Sequence, residues 1–145
     1  MTLPPRRTSG STAMDDYLEQ ILHLIEANGY ARAVDISKNL GISQASVTNM
    51  LQRLDAEGLV HHVKYRGTTL TEEGHRIALA IIERHKTLTR FLRLFGIDED
   101  TIYKDVEGME HHVSRATLGV IRAVADALEA DPELLERVRE KSRSI

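Results

Sequence analysis

Two short amphipathic segments separated by a single glycine, with a hairpin pattern directly after them, constrain this chain more than any other feature. Ile36 and Leu40 stand one helical turn apart between Val34 and Leu40. Gly41 stops that segment and fits the left-handed position of a tight turn. Ser43 is a good N-cap for a helix from Gln44 to about Glu57, and Ile42, Val47, Met50 and Leu54 supply its apolar face. Small Ser37 lies where two such helices must approach closely. Gly58 ends the second helix and the period then changes. Val60, Val63, Tyr65, Thr68, Thr69 and Leu70 surround Arg66-Gly67, the pattern of a short hairpin with glycine at the turn. Upstream, Leu18, Ile21, Leu22 and Ile25 mark an amphipathic helix from Asp15 to Ala27, ended by Asn28-Gly29. The order helix, helix, turn, helix, two-stranded wing is that of a winged helix-turn-helix.

The rest reads as helices. Thr71 caps a long one to about Phe95, Gly96 breaks it, and Asp98 caps another through about His112. Ser114 to Ala130 repeats the helical period, and Asp131-Pro132 opens a final charged helix, proline being suited to a first turn. The expected fold is mostly α: an arm at 1–13, a winged helix-turn-helix at 14–72 and a helical module at 73–145. With 4% aromatic residues and no tryptophan, aliphatic side chains must do the packing. The absence of cysteine excludes disulfides and thiolate metal sites. No apolar run approaches the ~20 residues of a membrane span, so a cytoplasmic protein without a membrane partner is expected. The Pro-, Arg- and Ser-rich start is not followed by a hydrophobic segment and reads as a flexible arm rather than a secretory signal.

A net charge of −3 does not announce a nucleic-acid binder, but its distribution is uneven. From Tyr30 to Arg76, six Lys/Arg (Arg32, Lys38, Arg53, Lys64, Arg66, Arg76) face five acids, whereas from Phe91 onward eight face twelve. The outward face of the second helix of the helix-turn-helix, beginning at Ser43, is Gln44, Ala45, Thr48, Asn49 and Gln52, short uncharged groups suited to base edges. Arg53 and the wing residues Lys64 and Arg66 are placed to hold phosphates. The competing reading is a three-helix bundle with an ordinary polar surface, or a winged helix used to bind protein.

Glu107, Glu110 and His111 stand at i, i+3 and i+4, so a helix would direct two carboxylates and an imidazole from one face. Like charges one turn apart destabilise a helix, and a divalent cation would remove the repulsion. The competing reading is a solvated acidic face with an incidental histidine. Asp16 and Glu19 share a face of the first helix, where they could equally be N-terminal acids favoured by the helix dipole. His85 lies on the long fourth helix. Together these residues offer four carboxylates and two imidazoles with no soft ligand, a set that favours Mn²⁺, with Fe²⁺ as the alternative, over closed tetrahedral zinc.

Asp16-Tyr17-Leu18-Glu19-Gln20-Ile21, Lys64-Tyr65-Arg66-Gly67, Arg84-His85 and Asp105-Val106-Glu107-Gly108-Met109-Glu110-His111-His112 resemble the manganese-sensing branch of the diphtheria toxin repressor family, from Met14 to about Leu128. The resemblance implies a manganese-responsive transcriptional repressor of uptake genes, a homodimer acting on operator DNA. It implies that Asp16, Glu19, His85, Glu107, Glu110 and His111 bind two ions per subunit, Glu19, Glu107 and Glu110 being best placed to bridge them. Iron-sensing relatives carry Met near Asp16 and Cys near Glu107, and end in an SH3-like domain that has no counterpart here. His112 matches the motif but turns about 100° from His111 on a helix, so it is read as supporting rather than ligating.

Leu118, Ile121, Val124 and Leu128 form a candidate dimer stripe, with intrachain core as the competing reading. An enzyme is not expected: di-iron bundles take Glu-x-x-His from two helices, and here that spacing occurs at Glu72 and His75 beside the wing. A regulator of an organic small molecule would need an apolar pocket, which this aromatic-poor chain does not announce.

Overall fold

The structure, a computed structural model, describes residues 11–145. Seven helices and one hairpin follow in order: α1 (Ser11–Asn28), α2 (Ala33–Leu40), α3 (Gln44–Ala56), β1 (Val60–Val63), β2 (Gly67–Leu70), α4 (Glu72–Arg93), α5 (Glu99–Met109), α6 (Arg115–Glu129) and α7 (Pro132–Arg143). The mostly helical architecture with an N-terminal winged helix-turn-helix is as expected. Of the arm assigned to 1–13, residues 1–10 lie outside the described residues, and Ser11 already belongs to α1. The chain divides into two compact units, one ending at Ala80 and the other spanning Ile81–Ile145.

In the first unit α1 packs on α2 and β2. Its Leu18, Ile21 and Leu22 are buried together with Ile36 of α2 and Val47, Leu51 and Leu54 of α3. Positions 47, 51 and 54 share one helix face, so Leu51 takes the core place that spacing alone assigned to Met50, which is half-buried. Ile42, also expected in the core, is 37% exposed. Gly41 adopts φ +67, the left-handed residue that turns α2 into α3, and the Ser43 side chain accepts a hydrogen bond from the Ser46 N–H at 3.2 Å.

The wing is an antiparallel pair in which Val60 faces Leu70 and Val63 faces Gly67. Gly67 is therefore the first residue of β2, and the turn proper is Lys64-Tyr65-Arg66, closed by Arg66 N–H to Val63 C=O at 3.0 Å. Ala31 bridges Thr68 through two backbone hydrogen bonds of 2.9 and 2.7 Å, so the wing is tied to the body of the unit. Gly74 lies against Leu59, and Thr71 accepts from its N–H at 3.0 Å while donating to the Gly58 carbonyl at 2.8 Å.

In the second unit Leu88 of α4, Ile102 and Val106 of α5 and Leu118 of α6 form a core that Leu92, Ile97, Val113 and Ile121 complete. Asp98, Ser114 and Asp131 each accept a backbone N–H at a helix start, satisfying donors that a helix leaves unpaired. Arg90 joins α4 to α6 through Asp126 at 2.7 Å and Glu129 at 2.8 and 3.0 Å. Arg139 of α7 donates to the Leu94 carbonyl at 2.6 Å, just beyond the end of α4.

Two expectations change here. α5 stops at Met109 rather than near His112, because extended Ser114 (φ −70, ψ 160) starts a new helix and the intervening residues form a turn. The proposed dimer stripe is largely core: Leu118 and Leu128 are buried and Ile121 packs on the core, leaving Val124 exposed.

Candidate metal centre and nucleic-acid interface

α4 carries Ala78, Ile81, His85, Leu88 and Leu92 at alternating spacings of three and four residues, a single helix face. His85 thus sits on an apolar stripe rather than among solvated charges, and its side chain is 33% exposed. On α5 the same logic places Ile102, Val106 and Glu110 on one line, four residues apart. The first two are core, and Glu110 continues their row with 2% exposure. A carboxylate has been put where the helix pattern calls for an aliphatic residue.

Burying an ionised carboxylate is unfavourable unless it is paired. His85 Nδ1 lies 2.9 Å from Glu110 Oε2, and His111 Nε2 lies 3.4 Å from Glu110 Oε1. These partners do not cancel the burial. Desolvation pushes the Glu110 carboxyl above the ordinary carboxylate range, the His85 hydrogen bond and charge pull it down less, and the negative Glu107 pushes it up again. Ligand atoms of His85, Glu107 and Glu110 all lie within 4.8 Å of one another. A group of two carboxylates and an imidazole, with one member buried on an apolar face and short of positive charge, fits a divalent cation that takes oxygen and nitrogen ligands.

The remaining candidates are placed as follows. Glu107 is exposed in the last turn of α5 and His111 is half-buried on the turn that follows the helix. His112 is exposed on that turn. Asp16 and Glu19 belong to the first unit, both half-buried on α1, with Glu19 Oε1 3.6 Å from His23 Nε2.

On α3, Gln44, Ala45, Asn49, Gln52 and Arg53 are exposed and Thr48 is half-buried. Ser43 is engaged as the N-cap and also donates to Ser46 Oγ at 2.9 Å. Arg53 pairs loosely with Glu57 at 3.7 Å. Lys64 and Arg66 flank Tyr65 on the exposed wing turn, where the Lys64 ammonium lies 5.3 Å from the ring centroid. Spacing alone did not single out Tyr65, although a large aromatic between two cations in a three-residue turn was visible.

A winged helix-turn-helix with an exposed polar helix, followed in the chain by a helical unit that gathers oxygen and nitrogen ligands, defines a metal-binding transcription regulator. Residues 11–68 match the family model "Iron dependent repressor, N-terminal DNA binding domain", and residues 71–138 match "Iron dependent repressor, metal binding and dimerisation domain". The chain belongs to the iron-dependent repressor family, and is a regulator rather than an enzyme.

It is 41% identical to the HTH-type transcriptional regulator MntR of Lysinibacillus sphaericus (strain C3-41) over 126 residues, 87% of this chain and 91% of that protein. It is 44% identical to the protein of the same name from Bacillus subtilis (strain 168), over 82% of this chain and 84% of the other. Among solved structures, the manganese regulator SloR matches with a TM-score of 0.68 and 26% identity over 77% of this chain and 53% of its own, so the present chain spans about half of that protein's length. Among the described residues, no helix is long and apolar enough to cross a membrane.

Proposed function

We propose that this chain is a manganese-responsive repressor of manganese uptake genes that binds operator DNA as a homodimer. The observation that carries the reading is buried Glu110, which caps α5 in line with its apolar face and converges with His85 and Glu107. A regulator named for manganese among the similar structures supports the choice of ion, as does a ligand set without sulfur.

Asp16, Glu19, His85, Glu107, Glu110 and His111 would hold two ions per subunit, with Mn²⁺ the physiological choice and Fe²⁺ the competitor. A bound cation supplies the positive charge that Glu110 and Glu107 lack. Because Asp16 and Glu19 come from the first unit and the other four from the second, ligation by all six restrains one unit against the other. Without it the carboxylates repel and the DNA-reading units sample many separations. With it they favour the separation at which two recognition helices meet successive major grooves, ~34–36 Å apart. The shift can be no larger than the difference in metal affinity between the two arrangements.

Gln44, Ala45, Thr48, Asn49 and Gln52 would read base edges, and Arg53, Lys64 and Arg66 would hold phosphates. With Leu118 and Leu128 committed to the core, Ala116, Val120, Ala123, Val124 and Ala127 are the exposed apolar residues of α6, Val120 at 63% and Val124 at 42%. We assign the dimer contact to this face.

Fluorescence anisotropy of a labelled duplex from the chain's own upstream region tests the reading, with protein titrated in EDTA and then with Mn²⁺, anaerobic Fe²⁺, Zn²⁺ or Mg²⁺ at fixed salt. Tight binding with Mn²⁺ and not in EDTA is expected. Equal binding with and without metal would remove the metal switch.

A further inference from the structure

The wing turn demands a left-handed residue at its centre, but the fold alone does not explain why that residue is a tyrosine. Tyr65 adopts φ +69, the one non-glycine residue with positive φ among the described residues, in a region that bulky side chains rarely enter and that turns normally assign to Gly, Asn or Asp. Its side chain is 95% exposed and so contributes nothing to the core. The base of the wing is by contrast firmly held. Ala31 and Thr68 exchange backbone hydrogen bonds, His62 Nδ1 meets Thr68 Oγ1 at 2.9 Å, and Asp55 accepts the His62 N–H at 3.2 Å. At Gly67, φ +97, an added Cβ would stand 3.1 Å from the Tyr30 ring and 3.3 Å from the Ala31 carbonyl, so this position must remain small. An anchored hairpin therefore presents a strained, solvent-facing tyrosine between Lys64 and Arg66, with the Lys64 ammonium 5.3 Å from the ring centroid.

Strain kept at an exposed tip points to what the tip touches. A tyrosine brings a large apolar face, a polar end and few rotors to immobilise. The flanking cations ask for anions on either side of an apolar surface. Duplex DNA offers this at the minor groove, where deoxyribose walls lie between two rows of phosphates and apolar side chains are known to wedge. The tip also belongs to the same unit as α3, whose exposed polar face suits the major groove.

We propose that Tyr65 is a DNA-contacting residue that lays its ring against the sugar wall of the minor groove, while Lys64 and Arg66 hold the flanking phosphates. The proposal rests on the operator-binding reading and adds a groove and a residue to it.

The test uses full-length protein with Mn²⁺ and a duplex selected by the wild-type protein from a random library. Tyr65→Gly removes the ring and relieves the backbone, and Tyr65→Phe keeps the ring. Tyr65→Gly should bind about tenfold more weakly, with an unchanged salt slope because no phosphate contact is lost, and with a melting temperature no lower than wild type. Tyr65→Phe should stay within about twofold of wild type on the same scale. Hydroxyl-radical footprinting, which reports on sugars in the minor groove, should show protection lost at one position per half-site in Tyr65→Gly alone. Wild-type affinity in Tyr65→Gly would overturn the proposal and leave the operator-binding reading standing. So would a weakened variant that melts lower, since the ring would then be structural. Failure of the wild-type protein to select any duplex would remove the parent reading and the proposal together.

Discussion

Replacing Glu110 by glutamine should make the protein more stable than wild type without metal and less stable than wild type with it. Glu110 is 2% exposed, and its carboxyl is raised mainly by burial, against the downward pull of His85. In the absence of metal the ionised carboxylate is thus a net liability at neutral pH. Glutamine has nearly the same shape, and its amide oxygen can still accept from His85 Nδ1, now as a neutral hydrogen bond worth about 1 kcal/mol instead of the ~1.5–3 kcal/mol of a charged one. Against that loss stands the desolvation penalty of the buried carboxylate, on the order of several kcal/mol per ion in a protein interior, which glutamine does not carry. The net expectation is about 1 kcal/mol in favour of Glu110→Gln, or roughly 2–4 °C in Tm for a chain of this size. With metal at a hundred times its Kd, the wild-type protein gains ~2.7 kcal/mol, roughly 5–10 °C, and the variant should gain little. Circular dichroism melts of both proteins at equal protomer concentration, in EDTA and in Mn²⁺, would show the two orders directly. A variant less stable than wild type in EDTA would mean that Glu110 is a structural partner of His85 rather than a buried charge awaiting a cation. Equal stabilisation of both proteins by Mn²⁺ would remove Glu110 from the ligand set.

Other consequences are separable from that one. Gly74→Ala should lower stability by about 2 kcal/mol, since its Cβ would drive into the backbone carbonyl of Leu59 and overpacking outweighs alanine's better helix propensity; urea unfolding with an unchanged m-value would register it. Arg66→Ala should weaken binding on all duplexes alike and reduce the magnitude of the salt slope by about 0.9, whereas a change confined to particular base pairs would contradict a phosphate contact. Asp98, Glu99 and Glu129 are held below the usual carboxylate range, chiefly by the Thr101 N–H, Arg93 and Arg90 respectively. Their stabilisation is therefore present above the unfolded-state values near 4 and lost as pH falls through the folded ones. Melting temperature should drop in that window, and Arg90→Met should make the drop shallower.

Much of this was legible in the sequence because local chemistry and tertiary structure agree there. Gly41 and Ser43 bound α2 and α3, Asp98 and Pro132 start α5 and α7, and the change from helical to strand period marks the wing. Elsewhere a second neighbour decides. Met50 and Leu51 are both apolar and ~100° apart, and the helices they face choose Leu51. Tyr65 is left-handed because a three-residue turn between Val63 and Gly67 demands it, not because tyrosine prefers it. Leu118, Ile121 and Leu128 read as a free stripe until α4 and α5 are packed against them. Glu110 was recognised by its charge and grouped with Glu107, yet the row Ile102, Val106, Glu110 was equally visible. Spacing relative to the aliphatic residues, rather than to the other acids, gives its burial.

That burial bears on how large a metal switch can be. Shifting a two-state protein from about 1% to 99% competent needs a differential affinity of about 10⁴, ~5.5 kcal/mol. His85, Glu107 and Glu110 lie together within the second unit alone, so a cation bound to them without α1 stabilises both arrangements equally and shifts nothing. On the proposed ligand set, only the part of the affinity that depends on Asp16 and Glu19 would bias the protein toward DNA. The proposed division of ligands would therefore separate two quantities: the second unit would set whether metal is retained, and the two acids of α1 how strongly retention is coupled to DNA binding. Reciprocity then requires operator DNA to tighten metal binding by that same coupling factor. Asp16→Ala with Glu19→Ala should accordingly keep measurable metal binding but lose the tightening by DNA, whereas Glu110→Gln should lose both. Isothermal titration of Mn²⁺ with and without duplex distinguishes these outcomes. Intact tightening in the Asp16/Glu19 double variant would mean that the coupling runs through another contact and that α1 supplies no ligands.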